Sequence, residues 1–144
     1  MRTALQERPL HNRHAAATIL CIDDDPDVSG AIERRLSRYD VHLIRAFHGM
    51  HGYAEALRHN PDVIVMDLRM PSGDGATILE CLRRNQQTAA IPVIVLTGIH
   101  ERRLRQKLLN LGANGFLQKP ILLDELTHEL ERYVDLHERE AETA

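Results

Sequence analysis

Asp23-Asp24-Asp25, Asp67, Thr97 and Lys119 are the residues of this chain best suited to chemistry, and each stands at or just beyond the end of a short apolar run. The runs are Ile19-Leu20-Cys21-Ile22, Val63-Ile64-Val65-Met66, Val93-Ile94-Val95-Leu96 and Gly115-Phe116-Leu117. As parallel strands they would put all of these groups on one rim of a sheet. Carboxylates gathered there repel one another and at neutral pH need compensating cations. Oxygen ligands without Cys or His suit a hard ion, so Mg2+ is expected, with Lys119 as a fixed positive charge opposite. Such a site around one carboxylate fits phosphoryl transfer. Asp67 would attack phosphorus in line, while the metal, Lys119 and the Thr97 hydroxyl stabilise the phosphoryl oxygens, giving an acyl phosphate. Taken singly, strand-end Asp and Thr also serve as helix caps. Asp25, just before Pro26, reads as a cap, which leaves Asp23 and Asp24 facing the metal.

The elements that must position these groups are legible from Thr18 onward, where short apolar runs alternate with longer amphipathic ones, the pattern of strand-helix units and a parallel sheet. Three runs, ending at Ile22, Met66 and Leu96, are continuously apolar, as central strands covered on both faces must be. Val41–Ala46 interleaves polar residues and Gly115–Leu117 is very short, so both are expected at sheet edges. Helical stripes follow at Val28, Ala31, Ile32 and Leu36, at Ala54 and Leu57, at Ile78, Leu79 and Leu82, at Leu104, Leu108 and Leu111, and at Leu123, Leu126, Leu130 and Val134. Gly112 falls where a helix C-terminal glycine belongs, and Pro61 and Pro92 stand at strand entrances. The expected fold is α/β: a doubly wound five-stranded parallel sheet in the flavodoxin-like order 2-1-3-4-5, with helices on both faces.

The 144 residues suffice for one domain, and 43% hydrophobic with 27% charged residues excludes wholesale disorder. A net charge of -3 removes the positive field that non-specific nucleic-acid binding needs, so no direct DNA binding is expected. Cys21 and Cys81 form no CxxC and read as core or near-core residues of a reducing compartment. No apolar run is long enough to span a membrane, and the first residues lack a secretory stretch. A soluble cytoplasmic protein is expected. Residues 1–17, with Arg2, Arg8 and Arg13 against Glu7, read as a flexible basic extension. The last ten residues are acidic and are expected to extend or fray from the last helix.

Residues 19–26 (ILCIDDDP), 63–71 (VIVMDLRMP), Asp74-Gly75, 93–98 (VIVLTG) and 112–120 (GANGFLQKP) resemble the receiver domain of bacterial two-component response regulators. The resemblance covers residues 18–136 and leaves 137–144 as an acidic tail. It implies that Asp67 is the phosphoacceptor, that Asp24 ligates Mg2+ directly and Asp23 mainly through water, and that the backbone carbonyl of Arg69 is a further metal ligand. It also implies that Lys119 pairs with the acidic cluster and then the phosphoryl group, that Thr97 is the switch hydroxyl, and that Phe116 is the switch aromatic. The implied partners are a histidine kinase or phosphotransfer protein as donor and a downstream protein target, with phosphorylation-dependent homodimerisation as one form of output. The only catalysis implied is on itself, so the chain is read as a switch rather than an enzyme.

Three departures from the family pattern stand out. Gly98 occupies a position where Ala is common, Ser72-Gly73 alters the turn after Pro71, and Arg69 and Ile99 flank the pocket where the family varies. The alternative is a pseudo-receiver, an interaction module that is not phosphorylated. A phosphatase with an Asp nucleophile wants a second Asp where Arg69 stands, and a dinucleotide site wants glycines where Asp23-Asp24-Asp25 stands. The pairs His11-x-x-His14 and His48-x-x-His51 show no third ligand at a useful spacing and read as surface residues, as does His128 on the last helix. The run from Glu101 to Lys107 is basic and reads as a solvated face or a partner surface.

Overall fold

The computed structural model describes residues 16–70, 73–98 and 102–140. Five strands, β1 (Ala17–Ile22), β2 (Val41–Ala46), β3 (Val63–Asp67), β4 (Val93–Thr97) and β5 (Gly115–Gln118), form one parallel sheet in the order β2-β1-β3-β4-β5. Five helices alternate with them: α1 (Pro26–Leu36), α2 (Gly49–His59), α3 (Gly75–Arg84), α4 (Arg102–Asn110) and α5 (Leu123–Leu130). A minor antiparallel ribbon joins Arg69–Met70 to Gly73–Asp74 between β3 and α3. The expected order and the two edge strands are thus observed.

Side chains alternate across the sheet, so each strand feeds two cores. Leu20, Ile22, Ile64, Met66, Val93 and Val95 pack under α2, α3 and α4, while Ile19, Cys21, Val63, Val65, Ile94 and Leu96 pack under α1 and α5. The helices begin and end where local chemistry dictates. Asp25 caps α1, its carboxylate accepting from the Asp27 amide at 2.9 Å, and Pro26 fills the first turn. Gly112 turns the chain after α4 with φ +105°, and a side chain there would also strike Arg83.

Two sequence expectations need correction. Ala54 does not face the core: α2 buries Gly49, Gly52 and Ala56 instead, and a Cβ on Gly52 would collide with Ile22. The contact face of α2 is made of small residues that let the helix lie close to the sheet, which an apolar stripe search passes over. Nor do residues 131–140 prolong the final helix; 141–144 lie outside the described residues. Helix α5 stops at Leu130, Val134 stays buried in the turn that follows, and Glu138 bridges antiparallel to Tyr39. The Asp40 amide donates to the His137 carbonyl at 2.7 Å, and Arg139 donates to the carbonyls of Arg38 and Tyr39, each at 2.9 Å. Residues 137–140 are therefore a strap across the start of edge strand β2. At the other end Ala17 already pairs with Val41 in β1; the expectation for residues 1–15 lies outside the described residues.

Candidate functional site

Parallel register sets the site. Ile22 pairs with both Ala46 and Met66, and Asp67 pairs with Leu96, so the residues just past β1, β3, β4 and β5 meet at the carboxyl rim. The Asp23 amide donates to the Ala46 carbonyl at 3.0 Å, and its Oδ1 accepts from the Asp25 amide at 2.9 Å. These bonds hold a fully buried carboxylate in place. Asp67, at the end of β3, is buried too, and its Oδ1 accepts from the Arg69 amide at 3.3 Å. Just beyond, Gly75 opens α3 against the backbone: a Cβ there would lie 2.8 Å from the carbonyl oxygens of Asp67 and Leu68. Only glycine lets α3 start this close to Asp67.

Lys119 closes the site from β5. Its amide donates to the Thr97 carbonyl at 2.9 Å, which ties the β5 end to the β4 end. Its Nζ lies 3.0 Å from Asp23 Oδ2 and 3.3 Å from Asp67 Oδ2. Burial, then the charge of Asp23, pushes the Asp67 carboxyl above its usual range despite the opposing pull of Lys119. For Lys119, burial alone would lower the pKa, but contact with Asp23 and then Asp67 outweighs it and the net shift is upward. The ammonium is therefore held in its charged form.

One cation is too little for the site. Asp23, Asp24 and Asp67 bring carboxylate oxygens within 4.8 Å of one another, with Asp24 exposed at the mouth. Asp23 Oδ2 is fully buried, and the Lys119 ammonium close to it, at 3.0 Å, is shared with Asp67. An all-oxygen donor set with three clustered carboxylates against one ammonium fits a hard divalent cation.

The sequence-predicted residues largely converge here. Asp23, Asp24, Asp67, Lys119 and the Arg69 backbone share the rim, and Thr97 sits buried at the end of β4. Ile99 and Ser72 lie outside the described residues. Phe116 is half-buried on β5, opposite Val95, and Arg105 of α4 stacks on its ring with 5.7 Å from the guanidinium carbon to the centroid. Arg105 and Gly75 are the contributors missed by sequence reasoning. The first is hidden in a basic run, and the second is legible only as part of Asp74-Gly75.

Among the described residues no histidine joins the acidic cluster. His48 caps α2, with Nδ1 accepting from the His51 amide at 3.2 Å, and His51 and His59 flank Glu55. His128 is exposed on α5, and His11 and His14 lie outside the described residues. Both cysteines are free; burial, then the charge of Asp23, pushes the Cys21 thiol up to about 12, which keeps it protonated and inert.

The family pattern of the response regulator receiver domain matches residues 19–131. This chain belongs to that family. Among curated relatives, the DNA-binding dual master transcriptional regulator RpaA of Synechocystis is 38% identical over 75% of this chain and 45% of its own length. The response regulator PleD of Caulobacter vibrioides is 35% identical over 74% of this chain and 23% of its own. The receiver thus spans less than half the length of either relative. Among solved structures, the chemotaxis protein CheY4 of Vibrio cholerae superposes with a TM-score of 0.79 at 27% identity, covering 83% of this receiver and all of that chain. The receiver domain of the sensor histidine kinase PA1611 of Pseudomonas aeruginosa, solved with magnesium coordinated in its active-site cleft, gives 0.74 at 29% identity over 83% and 98% of the two chains.

Proposed function

We propose that this receiver is a phosphorylation-dependent switch of a two-component system or phosphorelay, in which Asp67 accepts a phosphoryl group from a histidine kinase or phosphotransfer protein. The observation that carries this reading is the convergence of three carboxylates within 4.8 Å, two of them bridged by Lys119. Asp67 attacks phosphorus in line; its P–O bond forms as the P–N bond to the donor histidine breaks, and the electron pair leaves with the imidazole. Lys119 offsets charge on the phosphoryl oxygens, and the Thr97 hydroxyl donates to one of them. Asp23, Asp24, Asp67 and the Arg69 backbone carbonyl would hold Mg2+, which when bound would supply charge neutralisation for the phosphoryl group.

Phosphorylation then favours one of two packings of the face formed by α4, β5 and α5: Thr97 moves toward the phosphoryl group, Phe116 turns inward, and a downstream protein reads the difference. Catalysis is confined to the chain's own phosphorylation and dephosphorylation. In this reading the site of action is the cytoplasm, where the phosphoryl donor would act; among the described residues no helix is long and apolar enough to cross a membrane. Incubation with acetyl phosphate tests the reading. Wild type should gain one phosphoryl group by mass only when Mg2+ is present, and Asp67→Asn should gain none. Failure to gain mass from either acetyl phosphate or a phosphorylated donor protein would point to a pseudo-receiver.

A further inference from the structure

Arg45 is a half-buried cation to which the phosphorylation chemistry gives no role. It lies near the carboxyl end of edge strand β2, in register with Cys21 of β1, one residue before the Ala46 carbonyl that accepts from the Asp23 amide. Its side chain crosses to the first turn of α1. There Nε donates to Ser29 Oγ at 2.9 Å, and a terminal nitrogen donates to the Pro26 carbonyl at 3.0 Å. Ser29 is fully buried, so the guanidinium is anchored inside the protein, and it also lies over the Phe47 ring, 5.2 Å from its centroid. The other terminal nitrogen is 3.7 Å from exposed Glu33, a weak contact. Residues 23–26 are thus held from both ends by β2, through Ala46 at Asp23 and through Arg45 at Pro26. Between those holds, Asp23 Oδ1 accepts from the Asp25 amide and Asp25 Oδ1 from the Asp27 amide, each at 2.9 Å. Asp24, the exposed member of the acidic cluster, lies inside this bracket and takes its place from the backbone on either side.

We propose that Arg45 is a positioning residue for the cation site: by fixing the turn from Asp23 to Pro26 it keeps Asp24 close to Asp23 and Asp67, and so favours Mg2+ over Ca2+. The inference rests on reading the acidic rim as a divalent-cation site. Mg2+ demands oxygens at about 2.0–2.1 Å in near-ideal octahedral geometry, whereas Ca2+ accepts about 2.3–2.6 Å and irregular surroundings. A turn held at both ends suits the smaller ion, and a loosened one penalises it more than the larger. Charge alone predicts the opposite sign. A guanidinium bonded to Pro26 repels any cation arriving at Asp24, so its removal would, by charge alone, tighten both ions. What the role needs is the planar fork, which reaches a hydroxyl and a carbonyl together; a lysine brings the same charge on a single point.

Amide NMR titrations of the full chain with MgCl2 and with CaCl2 test the role, together with hydrogen exchange of the metal-free protein in EDTA. In Arg45→Met, Mg2+ affinity should fall about tenfold, the low end for groups that orient metal ligands from behind. Ca2+ affinity should change by less than about twofold, given its tolerance of irregular geometry. The Asp25 and Ser29 amides, which bond to Asp23 Oδ1 and the Asp25 carbonyl, should exchange severalfold faster. Arg45→Lys should follow Arg45→Met in spite of its charge, and Glu33→Gln should match wild type. Ser29→Ala should show the same asymmetry to a smaller extent, which keeps the proposal open to refutation even where Arg45→Met folds poorly. Tighter binding of both ions by Arg45→Met would show that Arg45 acts through charge alone and overturn the proposal. An equal loss for the two ions, or full rescue by Arg45→Lys, would overturn it as well. A wild type whose amides respond to neither ion would overturn the cation reading and the selectivity with it. Unchanged exchange at Asp25 and Ser29 would overturn the clamp whatever the ions do.

Discussion

At the scale of single residues, the site is a balance between crowding and compensation, and its two signs can be separated by mutation. Asp67 is disfavoured as a carboxylate by burial and by Asp23. Its folded pKa lies above the ordinary 3.8, so in the metal-free protein this group makes stability fall as pH rises from that value through the folded one. Asp67→Asn should therefore be more stable than wild type in EDTA at pH 7, by on the order of 1 kcal/mol in urea denaturation, while gaining less from added Mg2+. Lys119 acts in the opposite sense. Its folded pKa is raised above 10.5, so its contribution is complete at neutral pH and is lost only as pH climbs past that raised value. Lys119→Met leaves two buried carboxylates facing each other and should cost roughly 3 kcal/mol at pH 7, a loss that Mg2+ should partly restore. The acidic cluster and Lys119 were legible in the sequence because strand-end position and residue type sufficed. Arg105 was not, because an arginine in a basic run looks the same whether it stacks on a ring or points into water.

Elements were legible where their packing surfaces are apolar and illegible where they are not. The three central strands declare themselves by unbroken apolar runs, while α2 rests on Gly49, Gly52 and Ala56 and so shows no stripe to count. The α5 stripe continues in period to Val134, which is indeed buried, yet the helix itself ends at Leu130. A second hidden device is Arg83 at the end of α3. Its guanidinium donates to the Gly112 carbonyl at 2.8 and 3.0 Å, to the Ile91 carbonyl at 2.7 Å and to Asn114 Oδ1 at 2.8 Å. It thereby ties the loop before β4 to the loop before β5, and Asn114 Oδ1 also accepts from the Val93 amide at 2.9 Å. Arg83→Met removes all of these donors at once and should cost roughly 2–3 kcal/mol, given the penalty for unsatisfied buried carbonyls. Hydrogen exchange should locate the damage at Val93 and Ala113 rather than at Asp67.

For the whole molecule, the carboxyl rim of the sheet holds the site and the amino rim holds the strap. Ending the chain after Leu136 removes the bonds that residues 137–139 make to Arg38, Tyr39 and Asp40. It should lower stability by about 1–3 kcal/mol, three hydrogen bonds at their usual net worth, and leave acetyl phosphate uptake unchanged. A loss of phosphorylation in the folded truncated protein would show that the two rims communicate. The strap has another consequence. Ala17 pairs with Val41, and Glu138 bridges to Tyr39 two residues earlier, so the start of the first strand and the strap residue Glu138 are neighbours on one surface. The path of the backbone is nearly a closed ring. A short linker joining residue 140 to residue 17, with new ends opened at the exposed Gln86-Gln87 turn, should give a circular permutant that keeps both cores and the acidic rim, with its termini moved to the far end of α3.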